Sequence, residues 1–254
     1  MKNQKKTNKR VFIRALWGVF DEAHRITRRR FQTDSDIGKL IKSNYNEPFI
    51  SYTFGKENHD FLLKCGFNSI LIHDEPFKWD LVKYQYRHKL EILKYAMEED
   101  GYDEIVHLDW DCFPTRKLIP DFWDTFGKKE IVQANLQKYR ASKCYWRKDR
   151  ATQKYLPNGG YFYIRDKSIP SRLIKIWEGM KKNKQSAEPA MAKLMDEIGG
   201  GWQGIEHYWD HFEVETCNLK RKSPYSIADR QNKNSCFIHH AGGKTKSVEK
   251  IQGK

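Results

Sequence analysis

Short β-prone runs and helix-like runs alternate through the first part of the chain, and that alternation restricts the fold more than any other feature. Arg10 to Leu16 reads as a first strand and Pro48 to Phe54 as a second. Glu57 to Lys64 has helical spacing closed by Gly66, and Ser69 to Ile72 is a third strand. A long helix is expected over roughly Trp79 to Glu98, with Leu90, Leu93 and Met97 at i, i+3 and i+7 giving it one buried face. Gly101 ends that helix, and Glu104 to Leu108 follows as a fourth strand. A β–α–β–α–β order of this kind leads to an α/β fold, a mostly parallel central sheet with covering helices.

The fourth strand ends abruptly. Ile105, Val106 and Leu108 form an apolar run, and Asp109, Trp110 and Asp111 follow at once. Alternate residues of a strand share a face, and a turn at its end can bring both carboxylates round to one point. Mg²⁺ and Mn²⁺ take oxygen ligands and keep positions open for substrate phosphates. In an open α/β sheet, ligands bind outside the carboxyl ends of the strands. The pattern therefore suggests a metal–diphosphate site, against the plainer reading of an acidic turn that closes a strand.

Downstream, Ile119 to Phe126 looks helical, Glu130 to Ala134 reads as a strand, and Lys138 to Lys154 is basic and aromatic without a period. Asn158-Gly159-Gly160 introduces a β-prone run, Tyr161 to Ile164, where the glycines either make a turn or let backbone approach a ligand closely. Pro170 to Lys181 and Glu188 to Glu197 read as helices, and Cys236 to Ile238 as a last strand before His239 and His240. No repeat or low-complexity linker interrupts the chain. One domain over 10–246 is expected, with polar basic tails at 1–9 and 247–254.

Composition narrows the partners. Lys and Arg outnumber Asp and Glu, 47 to 33, for a formal charge of +14, which favours an anionic partner. Nucleic acid, a sugar nucleotide and an acidic membrane surface all fit. The five cysteines are odd in number and form no C-x-x-C pair, so neither a disulfide framework nor a structural zinc site is expected. No apolar run reaches the roughly 18–20 residues of a membrane span, and Val11 to Leu16 is too short for a signal peptide, so a cytoplasmic location is expected.

Two further motifs bear on the same chemistry. In His240-Ala-Gly-Gly243-Lys-Thr-Lys246 a histidine at a strand end can complete an oxygen-rich metal site, glycine amides can face phosphate and a lysine can neutralise it. The plainer reading is a glycine turn opening a solvated basic tail. Glu188 is a carboxylate at a helix start, which either caps the helix and meets its dipole or serves catalysis.

Taken together and in this order, the motifs resemble the GT-A glycosyltransferases, nucleotide-sugar-dependent enzymes marked by a D-x-D. Lys89-Leu90 in the helix, Leu108-Asp109-Trp110-Asp111, Asn158-Gly159-Gly160 and His240-x-x-Gly243-x-x-Lys246 are closest in pattern to the glycogenin-like class, which retains anomeric configuration. The resemblance spans about residues 10 to 246. It implies a GT-A domain whose residues 10–113 form a nucleotide-sugar-binding half and 114–246 an acceptor-binding half. It also implies Mn²⁺ or Mg²⁺ held by Asp109, Asp111 and His240, and a diphosphate met by Gly243 and Lys246. Lys89, Asn158, Gly159 and Gly160 would meet the donor sugar, while Ala15, Trp17, Asp74, Asp109 and Trp110 are nucleotide-contact candidates. Asp109 and Glu188 are the catalytic candidates, with Glu188 a general base if the reaction inverts and an orienting carboxylate if it retains. The expected activity is transfer of a sugar from a nucleoside diphosphate sugar, UDP foremost, to a carbohydrate or glycoconjugate hydroxyl. Acceptor contacts are expected from Trp202 to Phe212 and around Tyr145 and Trp146.

The sequence departs from that class in two places. Glu188-Pro189-Ala190 stands where an Asp-Gln pair is usual, and two adjacent histidines leave open whether His239 or His240 meets the metal. The alternative is a basic nucleic-acid-binding or nucleotidyl-transferring protein, favoured by the net charge and Arg28-Arg29-Arg30. Against it, the chain has no zinc-finger spacing, RNP-like strand or P-loop.

Overall fold

The computed structural model describes residues 8–16, 47–73, 87–109, 112–114, 122–128, 130–135, 157–180, 187–198, 202–204 and 237–239. Strands β1 (Arg10–Leu16), β2 (Phe49–Phe54), β3 (Asn68–His73), β4 (Glu104–Leu108), β6 (Ile131–Asn135), β7 (Pro157–Ile164) and β8 (Trp202–Gly204) form one sheet in the order β3-β2-β1-β4-β7-β6-β8. The first four of these in space run parallel, whereas β7 is antiparallel to both β4 and β6. Strands β5 (Cys112–Pro114) and β9 (Phe237–His239) make a separate antiparallel pair.

The α/β expectation and the mostly parallel sheet hold. The reason is visible in β1, where all of Val11 to Leu16 is buried, as a parallel strand covered on both faces must be. Val11, Ile13 and Ala15 join the core under the helices, with Tyr52, Phe54, Ile105 and Phe162. Leu90, Leu93 and Met97 of α2 (Arg87–Lys94 and its extension) bring the expected apolar face into that core, and Trp177 of α3 (Ile169–Gly179) and Leu194 of α4 (Glu188–Ile198) complete it. On the other face Phe12 packs on Trp123, with ring centroids 5.1 Å apart, and Phe126 stacks on Tyr163 at 4.1 Å.

Helix α1 (Lys56–Lys64) follows β2 and ends where Gly66 takes a positive φ of 73°. Helix α2 widens at its end into one π-helical turn, Tyr95–Glu99, and Gly101 at φ 71° turns the chain into β4. The Asp100 carboxylate accepts a hydrogen bond from the buried Tyr52 hydroxyl and so ties this corner to β2. At the start of β4, Glu104 is a buried carboxylate met by Tyr163 Oη at 2.8 Å, Asn8 Nδ2 at 2.6 Å and Arg10 Nε at 3.2 Å. No helix among the described residues is long and apolar enough to cross a membrane.

Three expectations need correction. Asn158-Gly159-Gly160 does not precede a strand or make a turn; it lies inside β7, which begins at Pro157. Glycines in a strand mark close approach of another backbone, and here the Asp109 amide donates to the Gly160 carbonyl at 2.6 Å. Within the span expected to be helical from Ile119, the described residues hold only a 3₁₀ turn, Trp123–Phe126. Strands β5 and β8 were not anticipated; each is three residues long and owes its strand character to a partner distant in the chain, β9 for β5 and β6 for β8. The long helix begins, among the described residues, at Arg87; 74–86 lie outside them.

Candidate functional site

Strand β4 stands at the switch point of the sheet, with parallel β1 on one side and antiparallel β7 on the other. Asp109 is the first residue beyond its carboxyl end, the position where ligands of open α/β sheets bind. Its amide bond to Gly160 carries the β4–β7 ladder one residue past the Leu108–Tyr161 pair.

The Asp109 side chain meets α2. Lys89 Nζ is 2.6 Å from Oδ1 and 2.7 Å from Oδ2, so one ammonium engages both carboxylate oxygens. The Lys89 side chain is 7% exposed and that of Asp109 23%, so the cation is nearly enclosed and its partner only partly exposed. In so shielded a setting the attraction exceeds that of a surface pair. Lys89, an expected donor-sugar contact, is therefore a buried residue joined to Asp109 of the D-x-D.

His107 completes this cluster. It is fully buried, its Nε2 is 4.0 Å from Asp109 Oδ1, and its ring stacks on Phe162 at 4.7 Å and 16°. Sequence reasoning passed over it, although a histidine inside Ile-Val-His-Leu is the one polar residue in an otherwise apolar run and was a usable signal.

The second half of the D-x-D leads directly into β5. Cys112 pairs with His239, Phe113 with Ile238 and Pro114 with Phe237. Asp111 is thus the residue before one member of a paired couple, and His240 the residue after the other. Asp111, His240 and Trp110 themselves lie outside the described residues, as do Trp17, Asp74, Gly243 and Lys246. Among the described residues no three His, Cys, Asp or Glu side chains converge as a metal site would require. Asp109 is the described member of the expected metal set.

Of the other candidates, Ala15 is 2% exposed, with its methyl in the core and its position in β1 paired with Tyr52 of β2. Gly160 is buried in β7. Glu188 is the first residue of α4, half-buried, on a helix that packs against β7. Within the expected acceptor segment, Trp202 and Gln203 belong to β8 at the sheet edge, and 205–236 lie outside the described residues.

The arrangement defines a class by fold: a mixed α/β domain with a mostly parallel sheet, shared with solved glycosyltransferases. One is the galactosyltransferase LgtC, solved in complex with donor and acceptor sugar analogs, at 15% identity and a TM-score of 0.53 over 91% of this chain and 87% of that one. A second is a glycosyltransferase involved in glycosylation of the major capsid of PBCV-1, at 12% identity and a TM-score of 0.53 over 96% and 98%. Similarity to the glycosyltransferase GlyE of Streptococcus pneumoniae TIGR4, at 15% identity and a TM-score of 0.49 over 95% of this chain, is below the level that shows a shared fold. This chain spans only 59% of GlyE's length. No protein-family model matches the sequence, and no curated protein is detectably similar to it.

Proposed function

We propose that the chain is a metal-dependent glycosyltransferase that moves a sugar from a nucleoside diphosphate sugar, a UDP-sugar foremost, to a hydroxyl of a carbohydrate or glycoconjugate. The observation that carries this reading is the pairing of Cys112 with His239. Asp111 precedes Cys112 and His240 follows His239 in the sequence, so this pairing supports a reading in which the two act in one neighbourhood.

That neighbourhood would suit Mn²⁺ or Mg²⁺, with the Asp111 carboxylate and the His240 imidazole as protein donors and positions left open for phosphate oxygens. A cation bound there would neutralise the charge that builds on a departing diphosphate. Asp111 and His240 are the expected direct ligands. Lys89 engages both oxygens of Asp109, which favours an orienting role for that carboxylate toward ribose or donor sugar over a place in the inner coordination sphere. Lys246 would add fixed positive charge against the leaving group, with Gly243 beside it. Asn158, Gly159 and Gly160 would line the sugar pocket, and Trp17, Asp74 and Trp110 would meet the nucleotide.

Glu188 is proposed to act on the acceptor side. In an inverting reaction it takes the proton of the attacking hydroxyl; in a retaining one it orients the donor.

The test is a panel of nucleoside diphosphate sugars incubated with the protein and Mn²⁺. Slow release of the nucleoside diphosphate is expected from one donor, lost in Asp111→Ala or with chelator. Silence across the whole panel from folded protein counts against the enzyme, and salt-sensitive binding of nucleic acid in its place favours the alternative.

A further inference from the structure

Two open grooves flank α3, and their charge differs. Towards α2, a cavity of about 270 Å³ is lined by Arg87, Glu91, Lys94 and Glu99 among others. Its cations are neutralised within the fold, since Arg87 pairs with Glu91 at 2.8 Å and also with Glu178, and Lys94 pairs with Glu98 at 3.7 Å. Towards α4, a larger cavity of about 390 Å³ is lined by Arg172, Lys175, Ile176, Gly179, Lys193 and Glu197. None of its three cations forms an ion pair with a described residue. Glu178, one turn along α3 from Lys175, is already engaged by Arg87. Glu197 stands one turn from Lys193 without closing on it.

Three like charges around one concavity repel each other, and an anion in the groove removes that repulsion. Arginine offers a planar fork of donors matched to phosphate, and lysine a mobile point charge. Buried Ile176 gives the groove an apolar wall, and Glu197 provides an acceptor for a hydroxyl on the ligand. The volume exceeds that of a bare phosphate and falls within the range of about 300–1,000 Å³ common to small-ligand sites. We propose that the α3–α4 groove binds a phosphate-bearing group, carried by a soluble phosphate ester or by a phospholipid headgroup. The site is distinct from the Lys89–Asp109 cluster, and the proposal does not depend on sugar transfer.

The experiment has two arms. Binding of inorganic phosphate and glycerol phosphate is measured by calorimetry, and co-sedimentation is measured with phosphatidylglycerol–phosphatidylcholine vesicles and with phosphatidylcholine vesicles alone. The variant Arg172→Glu/Lys193→Glu is expected to weaken binding about tenfold or more. Gly179→Leu tests the groove without changing its charge. A Cβ at Gly179 meets nothing within 4 Å, so a side chain can start from that position, and because Gly179 lines the groove the leucine is expected to narrow it and weaken binding too. Lys64→Glu, an exposed change at the end of α1, should leave binding unchanged. Binding confined to soluble esters, or to anionic vesicles, identifies the source of the phosphate. Absence of binding in both arms overturns the proposal, and so does binding that Arg172→Glu/Lys193→Glu weakens no more than Lys64→Glu does.

Discussion

The Lys89 ammonium lies against both carboxylate oxygens of Asp109, 2.6 Å from one and 2.7 Å from the other. Helix α2 is thereby pinned to the residue that ends β4, at the point where the sheet changes direction. What the pair contributes to the fold can be read by experiment.

Removal of Lys89 leaves a partly buried carboxylate without its main counter-charge. Lys89→Met is expected to destabilise the fold by about 1–3 kcal/mol in urea unfolding. Asp109→Asn in the Lys89→Met background should recover part of that loss, for a coupling energy above about 1 kcal/mol. Additive losses in the double-mutant cycle contradict the pairing.

The Glu104 carboxylate depends on its donors in the same way. Tyr163→Phe keeps the ring stack on Phe126 and removes only the hydroxyl that reaches Glu104 at 2.8 Å. A loss of about 1–2 kcal/mol is expected from chemical denaturation. Burial, with Glu104 adding to it, also holds the Tyr163 hydroxyl well above the ordinary tyrosine range, so a spectrophotometric titration should leave this tyrosine un-ionised until the fold opens.

His88 is buried and stacked on Phe54 at 3.9 Å. Burial lowers its pKa below the ordinary 6.5, and Glu91, 3.6 Å away, only partly offsets that. The unfolded chain therefore takes up the proton first as pH falls. Stability should be full above about pH 6.5 and decline as pH drops from there towards the lowered value. His88→Phe should flatten that part of the stability curve; an unchanged slope shows that another group is responsible.

Much of this was legible in the sequence, for identifiable reasons. The bounds of β1 and β4 follow from runs long and apolar enough to be covered on both faces, and the Leu90, Leu93, Met97 stripe marks the inner face of α2. What escaped was set by partners distant in the chain. The strand character of Asn158 to Gly160 comes from the Asp109 amide on one side and from β6, through the Asn135–Pro157 pair, on the other, and β5 is held as a strand by β9. Local propensity carries no trace of these contacts. The same holds for His107, whose polarity in an apolar run gains meaning only beside Asp109 and Phe162.

The central claim is that Asp111 and His240 act on one cation, and electron paramagnetic resonance of Mn²⁺ tests it without any substrate. Titration of free Mn²⁺ into the wild-type protein, Asp111→Ala and His240→Ala reads the bound fraction directly. The account predicts that wild-type protein binds one ion and that each substitution weakens binding about tenfold or more. Wild-type affinity in His240→Ala, or in Asp111→Ala, contradicts it.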